Sequence, residues 1–297
     1  MFSLSARRGH FSSLCFAGRG LLLAAGMGLP LLTQAQDTGS TPAQGRDYTL
    51  FRPVPRDSLQ ELRPDRPGVS ESPFTVDPGH FQVESDLLRL LNKRAPDHRE
   101  RDLHFNHVLL KLGLTMRTDV QVQLDSYSWQ KQWNEQQQPE RRQGFGDLTV
   151  RVKRSLAGEH GKPDALAVMA LVRLPVGSAV GTRAAEYGLM VPYSHDFSKE
   201  LNVQIQLRSE LNYDDAASRR FVLLGPSTAI DYEFSPFWSA FAEVAGQWDV
   251  RQTAWQASVN VGPQLHLSNN LILDGGAHLA LTPATDHEYF LGFSFRH

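Results

Sequence analysis

The chain has 297 residues, 41% of them apolar, with 30 basic against 32 acidic residues and a mean hydropathy of −0.35. No run of 18 apolar residues occurs, which argues against a helical membrane protein, and the slightly acidic balance offers no basic face to nucleic acid. A transmembrane β-barrel passes the same test, because only alternate strand residues meet lipid while the others line a polar interior.

The first 35 residues read as a cleavable export signal, with Arg7, Arg8 and Arg19 supplying charge, Leu21 to Leu32 an apolar core and Thr33-Gln34-Ala35 a small-x-small cleavage site. Gly26, Gly28 and Pro30 interrupt the stretch, which is too short to span a bilayer comfortably as an anchor. The single cysteine, Cys15, lies here behind Leu14, so the mature chain from Gln36 has no disulfide and no thiol chemistry. Removing the three arginines leaves 27 basic against 32 acidic residues, a formal charge of −5.

Residues 36–78 are rich in Pro, Asp, Arg, Ser and Thr and lack periodicity, which predicts an extended periplasmic segment. Asp65 and Arg66 between Pro64 and Pro67 make a stiff charged hook just before the first strand. This hook is expected to fold back and plug or brace the periplasmic mouth, with Arg66 paired to an inward carboxylate such as Glu243 or Asp274. The alternative is a solvated linker.

From Gly79 onward one pattern repeats: about ten residues of period-2 alternation followed by turn or charged punctuation, the length of a tilted membrane strand. Twelve such units predict an all-β, up-and-down antiparallel transmembrane barrel over residues 79–297. Phe81, Val83 and Leu87 mark the outward face of the first unit; Val108, Leu110, Leu112 and Leu114 the second; Val120, Val122 and Leu124 the third; Leu148, Val150 and Val152 the fourth. The fifth, Leu166 to Leu174, is apolar on both faces apart from Arg173, so its inner face should pack against something in the lumen. The sixth and eighth, Tyr187 to Tyr193 and Phe221 to Tyr232, are less regular. The seventh is the cleanest, with Leu201, Val203, Ile205, Leu207 and Leu211 opposite Asn202, Gln204, Gln206, Arg208 and Glu210, so a one-residue slip would turn its polar set into lipid. Trp238 to Val250, Trp255 to Leu265 and Leu271 to Leu279 repeat the logic. The last unit places Tyr289, Leu291, Phe293 and Phe295 on one face and resembles the closing strand of an outer-membrane barrel, which would pair with the first. The final residue is His297, where a terminal Phe is common in such barrels.

The connections alternate in length as such barrels require. Long external loops are expected at Asn92 to Arg101, Gln130 to Gln143, Pro175 to Ala185 and Asn212 to Arg219, and short periplasmic turns at Thr115 to Thr118, Glu233 to Pro236 and Leu267 to Asn270. Ser155 to Asp164 is a longer turn on the periplasmic side. Trp238, Trp248, Trp255, Tyr187, Tyr193, Tyr232 and Tyr289 lie near strand ends, as aromatic girdles would. Cross-strand packing in a soluble barrel or sandwich is the alternative for them.

Strand parity places Glu84, Asp125, Arg151, Lys153, Arg173, Arg208, Glu210, Glu243, Asp249, Asp274 and His278 in the lumen. In a channel these groups hold water and steer polar parts of a solute without reaction or energy coupling; the structural alternative is that they satisfy one another in a filled barrel. An enzyme reading rests on His104, His107, His266, His278, Ser258 and Asp274, but no G-x-S-x-G joins them, and His104 and His107, three apart on a strand, point to opposite faces and cannot share a metal. No cofactor and no metal is implied. A third reading is an adhesive or scaffold barrel, with the Trp133-containing segment Gln130 to Gln143 as contact loop or as a hydrophilic cover for the pore mouth.

Arg63-Pro64-Asp65-Arg66-Pro67-Gly68, Glu71-Ser72-Pro73 and Pro78-Gly79-His80-Phe81-Gln82-Val83-Glu84 together resemble the amino-terminal signature of the transporters grouped under the meta-pathway of phenol degradation. Gly144-Phe145-Gly146-Asp147-Leu148, Arg173-Leu174-Pro175-Val176-Gly177-Ser178, Ala242-Glu243 and Leu273-Asp274-Gly275-Gly276 extend the resemblance in order over residues 63–297. It implies an outer-membrane barrel that passes small organic, often aromatic, compounds. The partners expected are outer-membrane lipid, the barrel-assembly machinery and a small-molecule solute.

Overall fold

The computed structural model describes residues 48–95, 98–125, 127–134, 140–158, 162–176, 181–215, 217–253, 255–283 and 285–297. The predicted export signal and the beginning of the extended segment lie outside the described residues.

Alternation of apolar and polar side chains dictates the strands, and β-ladder pairing joins them in sequence order. The segments are β1 (Phe81–Ala95), β2 (His98–Thr115), β3 (Thr118–Leu124), β4 (Tyr127–Asn134), β5 (Glu140–Phe145), β6 (Leu148–Ala157), β7 (Asp164–Leu174), β8 (Glu186–Asp196), β9 (Leu201–Asp214), β10 (Arg219–Ser235), β11 (Trp238–Asp249), β12 (Gln256–Ser268), β13 (Leu271–Ala280) and β14 (His287–Arg296). The long β2 pairs with β3 through its last residues and with β4 through its first, while β3 meets β6 and β4 meets β5. Thus β3 with β4 is one stave, and β5 with β6 another. The fourteen segments make the twelve staves expected from the sequence, and β1 pairs with both β2 and β14 to close the ring.

Closure is tied at its end by a reciprocal backbone pair, His297 N to Phe81 O at 3.0 Å and Phe81 N to His297 O at 3.4 Å, with the two rings 5.3 Å apart. Adjacent staves run antiparallel throughout, so both ends of the barrel chain fall on one side, the periplasmic side in barrels of this kind.

The barrel is inside-out relative to a soluble protein. On β9 Ile205 and Leu207 are 46% and 64% exposed while Gln206 and Glu210 are 1% and 4% exposed. On β3 Asp119, Gln121 and Gln123 are buried between half-buried Val120 and Val122. Tyr187, Tyr232, Trp238, Trp255 and Tyr289 stand exposed near stave ends, and Trp248 stacks on Trp255 with centroids 5.5 Å apart. The inner face of β7 is apolar as read, and Met169 and Leu171 cluster there with Met190 of β8.

Three expected loops need correction, Asn212 to Arg219 among them, since β9 and β10 pair from Phe221–Asn212 to Arg219–Asp214. Asn92 to Arg101 is not a loop: β1 and β2 continue their pairing to Ala95 and His98. Gln130 to Gln143 likewise holds parts of β4 and β5, paired from Tyr127–Phe145 to Gln132–Glu140. Beyond the bilayer both faces of a ribbon can be polar, so the period-2 signal vanishes although the ladder goes on. A bulge at Leu87 also shifts the parity of β1, because both Leu87 and Leu88 are exposed and Arg89 turns inward.

Leu207 lies in the middle of β9 on the lipid face, so Leu207→Arg should lower the stability of the barrel refolded in liposomes by about 2–4 kcal/mol, read by denaturant titration.

Candidate functional site

A lumen ringed by ionised side chains and closed to lipid must satisfy those charges internally. The extended segment before β1 does much of this: it runs inside the barrel, and its own charges and amides meet the inward side chains. Its first part is fastened at the rim, where Leu50 N donates to Leu114 O at 2.9 Å and the His80 ring contacts the Val54 carbonyl at 2.7 Å and the His297 carbonyl at 3.0 Å. Pro78 bridges Gly113 of β2. A Cβ on Gly113 would collide with the Asp77 carbonyl, so only glycine lets the two backbones approach this closely.

Asp65 meets two buried lysines, Lys111 of β2 and Lys153 of β6. Lys111 pairs with both Asp65 and Glu84. Lys153 is wholly buried and donates to Asp65 Oδ1 at 2.8 Å and to the Ser72 carbonyl at 2.7 Å, so its ammonium fixes both limbs of the turn. Asp65 Oδ1 also accepts from Ser72 N at 2.8 Å. Burial alone would raise the Asp65 carboxyl, but Lys111 and Lys153 override it and hold it well below its ordinary range.

The Arg66 guanidinium pairs with Asp86 of β1 and, through two nitrogens, with Asp274 of β13, and lies 5.6 Å from the Phe290 ring centroid. Burial opposes its charge, yet the two carboxylates raise its pKa above the usual arginine value. Gly292 of β14 makes the room: a Cβ there would strike this guanidinium. Glu84 accepts the backbone N–H groups of Asp65 and Arg66 at 3.1 and 3.0 Å.

Further along, Glu243 of β11 accepts from Val69 N and Ser70 N, both at 2.7 Å, from Ser70 Oγ at 2.6 Å and from Asn260 Nδ2 at 2.7 Å. Of the two carboxylates expected to hold Arg66, then, Asp274 does so, while Glu243 is a backbone acceptor. Glu71 pairs with Arg151 of β6 at 2.8 Å, and its N–H donates to Gln206 Oε1 at 2.9 Å. Asp77 receives Arg296 at 3.3 Å and the N–H of Gln60 at 3.1 Å, and burial pushes its carboxyl up.

The other inward groups pair among themselves, and Asp86 links some of them to the segment through Arg89 and His107. Asp125 stands 2.9 Å from His107 Nε2; Arg173 donates to Glu186 at 2.7 Å; Arg208 pairs with Glu210; His278 lies 3.3 Å from Glu288; Asp249 receives Arg251 at 2.7 Å near the external end. Arg89 joins Asp86 at 2.8 Å to Glu288 at 3.2 Å. Sequence reading passed over Lys111 and Asp86 as site residues although parity alone points them inward. Arg89 it could not find, because the bulge at Leu87 hides its direction. Ser70, Glu71 and Asp77 carry no periodic signal at all.

Hollows flank this filled region at both ends. At the periplasmic end a cavity of about 130 Å³ lies between the segment and the wall from β8 to β13. At the other end a hollow of about 550 Å³ is lined by Tyr213, Phe221, Asp249 and Arg251 among others. The groups considered for hydrolysis are scattered: Ser258 pairs in register with Ala280, and the His278 ring lies against Phe290 at 5.0 Å. His266 Nε2 does contact Ser239 Oγ at 2.9 Å, and no carboxylate is paired with that imidazole among the described residues. Among the described residues no group of three or more His, Cys, Asp or Glu could hold a metal ion.

Glu71 gives the segment a pH dependence. Burial, with Asp65 adding and Arg151 opposing, pushes its carboxyl from 4.5 up to about 7. A carboxyl raised on docking favours the docked segment fully below its undocked pKa and loses that contribution as pH rises through the docked value. Protease accessibility of the segment in the refolded barrel should therefore increase between pH 4.5 and 7 and level off above, and Glu71→Gln should flatten the profile.

The fold has solved counterparts. The COG4313 outer membrane channel from Pseudomonas putida F1 is 15% identical and superposes with a TM-score of 0.56 over 78% of this chain and 99% of that one. The KdgM porin is 12% identical, with a TM-score of 0.42 over 73% of this chain and 98% of that one. No curated protein matches the sequence. A family model described as "Putative MetA-pathway of phenol degradation" matches residues 64–296, which takes in the hook at Asp65 and Arg66 and every stave of the barrel. The chain belongs to that family.

Proposed function

We propose that this protein is an outer-membrane channel for passive uptake of small organic solutes, aromatic ones among them, with the segment around Asp65 and Arg66 acting as a plug that keeps the lumen narrow. The observation that carries this reading is the segment itself: it is bound to several staves of the wall, through Lys111 of β2 and Lys153 of β6 and through Asp86 of β1 and Asp274 of β13, between hollows toward the two mouths. The membership in a family named for phenol degradation favours an aromatic solute, and the lipid-facing staves and aromatic rims favour the outer membrane, reached by way of the export signal. The lumen charges Glu84, Arg151, Glu243 and Asp274 serve first to seat the plug, and Asp125, Arg173, Arg208, Glu210 and His278 line the passage beyond it. Transport without chemistry accounts for every group named here, and a catalytic role is not part of the proposal.

Swelling of liposomes loaded with the purified protein, using phenol, benzoate, arabinose and an alkanol, tests permeation; no swelling with any of them would overturn the channel. Arg66→Ala tests the plug. Truncating one partner of a buried ion-paired group costs about 3–5 kcal/mol and leaves Asp274 without its counter-ion, while Asp86 keeps Arg89. Single-channel conductance should rise in this variant, and unchanged conductance would refute the plug.

A further inference from the structure

The periplasmic cavity has a chemical character of its own. The segment contributes Pro64, Pro73 and Phe74, and the wall contributes Asp231 of β10 between Gln204 of β9 and Gln264 of β12. Asp231 accepts from Gln204 Nε2 at 3.0 Å and from Gln264 Nε2 at 3.3 Å, and it forms no ion pair among the described residues. The arginines that also line the cavity are committed elsewhere: Arg63 to Glu61 at 3.1 Å and Asp196 at 3.0 Å, and Arg66 to Asp86 and Asp274. Lys199 stands exposed at the turn between β8 and β9. A carboxylate at the side of a half-apolar cavity, supported only by neutral amides, is a charge in want of a counter-charge.

We infer that this cavity is a binding site for a small organic cation, a protonated amine carried on an apolar or aromatic body, with Asp231 as the counter-ion. The ammonium donates to Asp231 and to the side-chain carbonyls of Gln204 and Gln264, which present acceptors once their amide groups are engaged with the carboxylate. The body lies against Pro64, Pro73 and Phe74, whose apolar faces suit a ring or short chain. Arg63 covers one face of Phe74, its guanidinium 4.6 Å from the ring centroid, so the body meets the rest of that ring. An anionic solute of the same shape meets the Asp231 carboxylate in the wall, where the lining arginines are already paired with carboxylates and Lys199 stands out at the exposed turn. Since Pro64 and Pro73 belong to the segment in the lumen, the site exists only while that segment is docked. The inference rests on the channel reading for its biological sense, because a site on the periplasmic side of the plug is where a permeating solute would pause.

Isothermal titration of the purified full-length protein at pH 7 with benzylamine, benzyl alcohol and benzoate tests the site, with Asp231→Asn as the isosteric variant. Benzylamine should bind tighter than the other two, and Asp231→Asn should weaken it about tenfold while leaving benzyl alcohol unchanged. Heat-modifiable gel mobility verifies that the variant is a folded barrel; if it is not, Gln264→Leu with Gln204→Leu, which removes the neutral acceptors, should weaken benzylamine in the same selective way. Equal affinities for the three probes, or benzylamine binding indifferent to these substitutions, would overturn the assignment. The swelling assay separates this outcome from failure of the channel: benzylamine binding that depends on Asp231 in a protein that swells no liposome keeps the site and removes the channel, and swelling without amine preference does the reverse.

Discussion

Inside hydrocarbon an unpaired backbone amide has no water to turn to, so the ladder that joins β14 back to β1 carries the architecture. With that ladder made, every inner stave has two partners and the sheet has no edge to expose. The reciprocal pair between Phe81 and His297 ends the seam at the periplasmic rim, and Arg56 of the preceding segment reaches the same imidazole at 2.9 Å. Closure then fixes parity for the whole chain: one side of each stave belongs to lipid, the other to the lumen, and a polar residue placed inward is shut away with whatever else is there.

That enclosure creates the second constraint. Lys111, Lys153, Glu84, Asp86, Glu243 and Asp274 are all buried, and each would be costly without a partner. The lumen resolves this by setting acids beside bases on the wall, Glu84 with Lys111 and Asp119 opposite Lys153, and by accepting a segment whose charges and amides alternate to suit. Asp65 and Arg66 are neighbours in sequence that take partners of opposite sign on different staves, while the Val69 and Ser70 amides and Glu71 continue the match. Such pairs add little net stability compared with apolar packing, but breaking one is expensive, so they determine where the segment sits more than how strongly the barrel holds together. Small residues complete the fit: Gly113 and Gly292 leave the volume that the Asp77 carbonyl and the Arg66 guanidinium occupy.

Much of the barrel was legible because its signal is repeated. The seventh unit, with Ile205 and Leu207 against Gln206 and Glu210, fixes its register by parity alone, and the closing strand from Tyr289 to Phe295 does the same. The expectation failed where the physical cause of alternation stops. In the ribbons of β1 with β2 and β4 with β5, water on both faces removes the period while the hydrogen bonds persist, so segments read as loops are strands. At Leu87 a single extra residue reverses the parity and sends Arg89 inward. The site was legible on the wall, where strand parity points Glu84, Arg151, Glu243 and Asp274 into the lumen, and much less so in the segment, where no period exists to show which side chain meets which wall.

The sequence by itself determined the number of staves, the lipid-facing residues and the inward charges, since these follow from a local two-residue period and from turn chemistry between neighbours. Only the tertiary structure decided that Arg66 belongs to Asp86 and Asp274 while Glu243 receives backbone amides, and that Asp231 is left with neutral partners in a cavity. Those pairings join residues as many as 208 positions apart, Arg66 with Asp274 among them, across a lumen whose width and stagger are set by the closed ring and not by any stretch of chain.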